Sequence, residues 1–223
     1  MWGLFKRKRK ALPPADTETV GQIMLDMARA DIDQETLARL VRNAMLLRAQ
    51  GDQDRAQIAL EFVAENSIRV LGEDHLDTLG ALMLLADTMR TRGELQPARE
   101  IEEAYVQGMA RTRGMEDRDT LIAMSNLAET LSEEGDLDRA KATAEQAVSA
   151  MQRAFGPESE DTLIASIVLA HILLRKGEYI EANAMAEEIV EVKVRTLGPT
   201  HPDTYQAKDI LEAIRLTAGF PPP

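Results

Sequence analysis

The dipeptide Asp-Thr occurs at 77–78, 119–120, 161–162 and 203–204, each 42 residues after the last, and one step back stands Glu35-Thr36. Four more columns keep the same spacing: Gly51, Gly93, Gly135 and Gly177; Ala44, Ala86, Ala128 and Ala170; Ala56, Ala98, Ala140 and Ala182; and Gly72, Gly114, Gly156 and Gly198. Self-similarity at a fixed period of this size marks a repeat protein, in which one supersecondary unit stacks on copies of itself.

The residues between the columns say what the unit is. After each Asp-Thr, apolar side chains recur at helical spacing: Leu79, Leu82, Ala86 and Met89, then Leu121, Met124, Ala128 and Leu131. Two residues before each Asp or Glu stand Asp33, His75, Asp117, Ser159 and His201. Three of these are strong N-cap types, and Pro202 takes a favoured first helical position. An acidic residue in the first turn also faces the positive end of the helix dipole. Gly51 and its equivalents are expected to end this helix, where a left-handed backbone costs glycine nothing. A second amphipathic stretch follows, Leu95 to Arg113 for example, and Gly114 stops it. The columned alanines are small where two helices cross closely. Each unit is therefore predicted to be helix A, tight turn, helix B and short linker, in an all-α chain. Composition agrees: aromatics make up only 4% of a chain rich in Ala, Leu, Met, Glu and Arg, the good helix formers.

This arrangement resembles the tetratricopeptide repeat, in the 42-residue form of kinesin light chains and many bacterial proteins. LGEDHLDTLGALMLLADTMRTRGELQPA, FGPESEDTLIASIVLAHILLRKGEYIEA and LGPTHPDT carry the likeness, which covers about 33–217. The resemblance implies an α-solenoid of about four repeats, 33–74, 75–116, 117–158 and 159–200, closed by a C-terminal capping helix over 201–217. Two residues depart from the pattern: Asn43 stands where the other copies have Leu85, Leu127 and Leu169, and Arg113 where they have Leu71, Phe155 and Leu197. Residues 16–31 place Val20, Ile23, Met24 and Met27 on one face and are read as an N-terminal capping helix. Residues 1–15 are a basic and apolar stub with its linker ALPPA, and 218–223 a Pro-rich tail.

No catalytic motif is present: no P-loop, G-x-G-x-x-G, G-x-S-x-G or H-E-x-x-H. His75 and His201 are three periods apart, which gives them a capping or turn role, and His171 stands alone within a helix A as a packing or surface residue. With no cysteine, disulfides, thiolate metal sites and cysteine nucleophiles are excluded, in keeping with a reducing cytoplasm. No run of 18 apolar residues exists, and the N-terminus lacks the order of a secretory signal. A net charge of −12 argues against nucleic acid as the ligand of the body. The expectation is a non-enzymatic protein without cofactor or metal.

In the family this sequence resembles, helix A lines an inner groove where peptides or partner helices lie. Matching columns gives groove candidates Val41, Met45 and Arg48 in the first repeat, and Met83, Asp87 and Arg90 in the second. The third gives Ile122, Ser125, Glu129 and Ser132, and the fourth Ile164, Ile167, His171, Leu174 and Arg175. Kinesin light chains carry an Asn- and Lys-rich surface there, suited to acidic peptides, whereas this sequence keeps only Asn126 near that pattern. Met and Ile make an adaptable apolar floor instead. Any one of these residues could simply pack helix A on its neighbour. Ile164, Ile167 and Leu174 together are harder to assign that way, because Leu163, Leu169, Ala170 and Leu173 already serve the core.

The first ten residues, MWGLFKRKRK, stand apart. Without Lys6 to Lys10 the remaining chain has 21 basic against 38 acidic residues, a net of −17. Four readings compete. The stub could anchor to a membrane surface, with Trp2, Leu4 and Phe5 in the interface and Lys6, Arg7, Lys8, Arg9 and Lys10 among anionic head groups. It could be a nuclear localisation signal, grip an acidic partner or RNA, or have no role. Five cations near an anionic surface contribute about 5 kcal/mol in total, and each well-buried apolar side chain adds about 1.5–3 kcal/mol. That magnitude suits reversible recruitment, and the combination of both signals in one segment favours the first reading.

The sequence is thus read as an interaction scaffold that holds a peptide or helix of a partner protein in its groove, at the cytoplasmic face of a membrane. The alternative is a soluble assembly or regulatory factor that binds through its caps or convex face, and a homo-oligomer stays open.

Overall fold

The computed structural model describes residues 32–219. The stub, its linker, the expected capping helix over 16–31 and the last four residues lie outside the described residues. Nine α-helices and no strands occur among the described residues: α1 (Gln34–Ala49), α2 (Gln53–Leu71), α3 (Leu76–Thr91), α4 (Leu95–Thr112), α5 (Arg118–Glu134), α6 (Leu137–Phe155), α7 (Glu160–Lys176), α8 (Tyr179–Leu197) and α9 (Pro202–Ala218). The odd-numbered helices are the predicted A helices and the even-numbered ones the B helices.

All five residues of the N-cap column cap their helices. Asp33 accepts from the Thr36 backbone N–H, Asp117 from Asp119 and Ser159 from Thr162. His75 and His201 do the same through Nδ1, which accepts from the N–H of Asp77 and Asp203 at 3.2 Å. A histidine can cap this way only with a lone pair on Nδ1. The Thr column that follows is buried throughout, from Thr36 at 4% exposed to Thr204 at 0%. In two repeats its role is visible: the Thr162 and Thr204 hydroxyls donate to the Gly156 and Gly198 carbonyls at 2.8 Å, fastening the start of helix A to the preceding linker.

Helix A ends the same way four times. Gly135, with φ +95°, donates to the Ser132 carbonyl, and Asp136 reaches back to Leu131. The equivalent bonds join Gly51 to Arg48, Gly93 to Arg90 and Gly177 to Leu174. This is the Schellman closure, and the left-handed position it needs explains the glycine column. Both alanine columns are buried, at 0–1% exposure. Arg113 is exposed, and Phe155 and Leu197 in its column are 37% and 42% exposed, while Leu71 is half-buried against the core of the first unit, so the position is a peripheral one that tolerates arginine. Asn43 is half-buried on α1.

The helices gather into two compact units that meet in sequence at Gly114 and Met115, within the stretch read above as one repeat domain over 33–217. The first unit holds α1–α4 about a core of Leu37, Leu40, Leu47, Leu60, Val63, Leu79, Leu82 and Leu85, none more than 3% exposed. Gly108 on α4 permits close approach of α3, since a Cβ there would lie 2.5 Å from Leu79 Cδ2. The second unit holds α5–α9, where Leu121, Leu131, Met151 and Ile172 are buried and Leu163, Ile189, Val192 and Ala207 form a further apolar cluster. On α9 the register of Leu163, Ala170 and Leu173 carries Tyr205, Glu212 and Arg215 instead, so that face is polar. Arg215 is spent on Asn183 and Glu187 of α8, at 3.1 and 2.5 Å.

Polar links between repeats show a second period. Gln34–Asp77, Gln57–Glu94, Asp54–Arg92 and Asp74–Arg111 join the first repeat to the second. Residues exactly two periods on, Arg118–Asp161, Lys141–Glu178, Asp138–Lys176 and Glu158–Arg195, join the third to the fourth. The B helices alternate likewise: Asp52 and Asp136 cap α2 and α6 with their side chains, whereas Glu94 and Glu178 make no such bond.

Glu178 instead sits between two lysines. Hydrogen bonds from Lys141, then from Lys176 at 2.9 Å, hold its carboxyl at about 2. A carboxylate held below its unfolded value contributes stability that is complete above that value, near 4.3, and is lost as pH falls toward 2. Glu178→Gln is therefore expected to flatten the loss of stability between about pH 4.5 and 2, measured by urea unfolding across that window, with the wild type falling more steeply.

Candidate partner-binding faces

In the first unit the A-helix candidates divide by chemistry. Met45 and Met83 are 50% and 43% exposed, and Val41 is half-buried. The polar candidates hold one another: Arg48 on α1 pairs with Asp87 on α3, and Arg90 reaches the same carboxylate at 3.5 Å. Gln34 donates to Asp77 at 2.7 Å near the other end of the two helices. The Arg48–Asp87 pair thus braces α1 against α3, with Arg90 supporting Asp87 from within α3, and the methionines form the accessible part of this face.

In the second unit α5 and α7 lie side by side, tied at both ends. The Arg118 guanidinium makes two hydrogen bonds to Asp161, at 2.5 and 2.7 Å, and Arg175 donates to the Ser132 hydroxyl at 2.8 Å. Between these ties Ile122 is half-buried on α5, Ile164 is 51% exposed on α7, and Ile167 and Leu174 are half-buried one and three turns further on. Glu129 and His171 are exposed beside them. Leu163, Leu169, Ala170 and Leu173 point the other way and are at most 4% exposed. Ser125 and Ser132 are not surface residues as the sequence reading had them: they are 5% and 4% exposed, because α7 packs over that side of α5 and Arg175 covers Ser132.

The same unit has an open cavity of about 490 Å³ between the start of α5 and the middle of α6, with Met115, Leu121 and Met124 on one wall and Gln146, Ser149 and Arg153 on the other. Sequence reasoning missed it, since Met115 lies in a linker and Leu121 and Met124 were assigned wholly to the core. Among the described residues no group of three or more His, Cys, Asp or Glu side chains could hold a metal ion, and no helix is long and apolar enough to cross a membrane. The membrane-surface candidates, Trp2, Leu4, Phe5 and Lys6 to Lys10, lie outside the described residues.

Stacked two-helix repeats with a small-residue crossing and a capped Asp-Thr start define a helical-repeat protein. Residues 119–193 match the tetratricopeptide repeat family, and the fold is that of tetratricopeptide repeats of the kinesin-light-chain type. A structure of nearly identical TPR-like repeats from a Podosopora anserina protein assigned as a kinesin light chain superposes with a TM-score of 0.73 at 24% identity, covering 82% of this chain and 87% of that one. A single-substitution variant of those repeats gives 0.77 at 23%, covering 85% and 90%. BtubC (BKLC) from P. vanneervenii gives 0.69 at 19%, covering 92% and 85%. No curated protein matches the chain in sequence. Tetratricopeptide repeats generally serve as protein-interaction scaffolds, and are typically non-catalytic.

Proposed function

We propose that the chain is a non-enzymatic adaptor that holds a segment of a partner protein on the A-helix face of its second unit, between α5 and α7. The observation that carries this is the division of apolar side chains on α7. One set, Leu163, Leu169 and Leu173, is consumed by packing, while Ile164 at 51% exposed and half-buried Leu174 remain toward solvent, and Ile167 between them packs in part against the Leu163 cluster. Isolated exposed apolar residues are ordinary, but a row of them at helical spacing on a scaffold fold fits a partner helix or strand. Replacing both Ile164 and Leu174 with Glu is expected to abolish recovery of crosslinked partners by the full-length protein, with helical circular dichroism unchanged. Undiminished recovery would move binding to the caps or the convex face.

The stub gives the reading its second part: reversible recruitment to an anionic membrane surface on the cytoplasmic side. What supports this is MWGLFKRKRK itself, apolar and cationic at the head of an acidic chain. The protein is expected to co-sediment with liposomes containing phosphatidylserine and not with phosphatidylcholine alone. Binding should weaken with salt and disappear on deleting residues 1–10. Equal sedimentation of the truncated protein would refute the anchor.

A further inference from the structure

We infer that the cavity between α5 and α6 is a socket for an aromatic side chain presented by a partner protein. The inference does not depend on the α5–α7 face. Each of the other three repeats fills or bridges the equivalent place, by different means. In the first, Ile32 and Phe62 lie half-buried against a core that includes Leu37 and Leu40. In the second, Gly108 lets α4 approach Leu79 so closely that a Cβ would meet Leu79 Cδ2 at 2.5 Å, and Arg111 reaches from α4 to Asp74 at 2.6 Å. In the fourth, Val192 joins Leu163 and Ile189 in one apolar cluster, and Arg195 reaches Glu158 at 2.6 Å.

The third repeat uses none of these. Two periods after Ile32 and Phe62 stand Glu116 and Gln146, and Ile58 gives way to Ala142. Ala150 takes the column of Gly108 and Val192, with a Cβ that forbids the close approach and no further carbon to fill the gap. Arg153, in the column of Arg111 and Arg195, donates at 2.9 Å to Ser149 on its own helix. What is left is the cavity of about 490 Å³, with buried Leu121 and Met124 beneath and exposed Met115, Glu116, Gln146 and Ser149 around its mouth. Phe62 shows what such a place holds when it is filled: a phenyl ring packed on the core. Met115 and Met124 suit the same occupant, since thioethers pack favourably against aromatic rings and adjust to their shape. The volume is that of a pocket able to take a bound group, and an aromatic anchor seated in a pocket carries much of the binding energy at protein interfaces. The mouth holds both signs of charge, Glu116 and Arg153, so the cavity selects by shape and not by charge.

The test uses the full chain, isotopically labelled at its methionine methyl groups and followed by NMR during titration with a capped Gly-Gly-Phe-Gly-Gly peptide or its twin with Ala for Phe. The Met115 and Met124 signals should shift saturably with the Phe peptide, since an aromatic ring perturbs methyl groups beside it, and stay in place with the Ala peptide. Gln146→Phe with Ala142→Ile, both at exposed positions, rebuilds the first-unit surface. It should weaken the Phe peptide at least about tenfold and raise the Tm by a few degrees, as filling a cavity does. Ser149→Trp, also at an exposed position, supplies a second blocking variant. No response at Met115 and Met124, an equal response to the Ala peptide, or undiminished affinity in both blocked variants would overturn the socket. Entry of free N-acetylphenylalanine amide with exclusion of the peptide would assign the cavity to a small molecule and overturn a partner segment. Phe-peptide binding that tightens at least about tenfold on deletion of residues 1–10 would show the chain's own stub filling the cavity, and would overturn a separate partner.

Discussion

Leu82→Ala is expected to lower the stability of the first unit by about 2–5 kcal/mol. Leu82 is fully buried on α3 among Leu79, Leu85 and Ala86, themselves 0–1% exposed. Truncation removes the transfer free energy of the lost methyl groups and leaves a cavity that the surrounding helices fill only in part. Urea unfolding followed by circular dichroism checks the expectation. A loss under about 1 kcal/mol would mean that α3 repacks freely, against the close packing implied by the alanine columns.

The second large effect separates register from composition. Ala128→Leu should cost about 1–3 kcal/mol or more, because Ala128 is fully buried where the 42-residue period demands a small side chain. Glu129→Leu, one residue on, should change stability by no more than about 0.5 kcal/mol, since Glu129 is exposed. Leucine suits a helix at least as well as glutamate, so propensity favours neither variant. The helix crossing is what sets the two positions apart most strongly. Equal effects in the same unfolding experiment would deny the alanine column its role.

Much of the fold could be read because repetition turns weak local signals into columns. A single His before a helix says little, but His75 and His201 in register with Asp33, Asp117 and Ser159 identify a cap, and Nδ1 of each accepts the expected bond. The glycines and alanines were legible for the same reason: each answers a backbone or steric demand that recurs. Residues whose role depends on a particular neighbour were not. Gly108 lies outside every column, and its role is the approach of Leu79. Ser125 and Ser132 face the predicted side of α5 but are covered, which only the packing of α7 and the Arg175 side chain decides. Arg48, Asp87 and Arg90 were read as groove residues and turn out to bind one another. The doubled period could have been found: GDQDRA at 51–56 returns as GDLDRA at 135–140, while GELQPA at 93–98 returns as GEYIEA at 177–182.

That alternation bears on how a chain of this kind can change length. Four polar links join the first repeat to the second, and their counterparts two periods on join the third to the fourth. Removing 42 residues would preserve every cap and alanine column yet bring a repeat against a neighbour of its own kind, with Gln57 facing another Asp-type start instead of Glu94. Removing or adding 84 residues would return each donor to its acceptor. The heritable module of this protein is therefore a pair of repeats, and the single repeat is only the interval at which its hydrophobic ruler is marked.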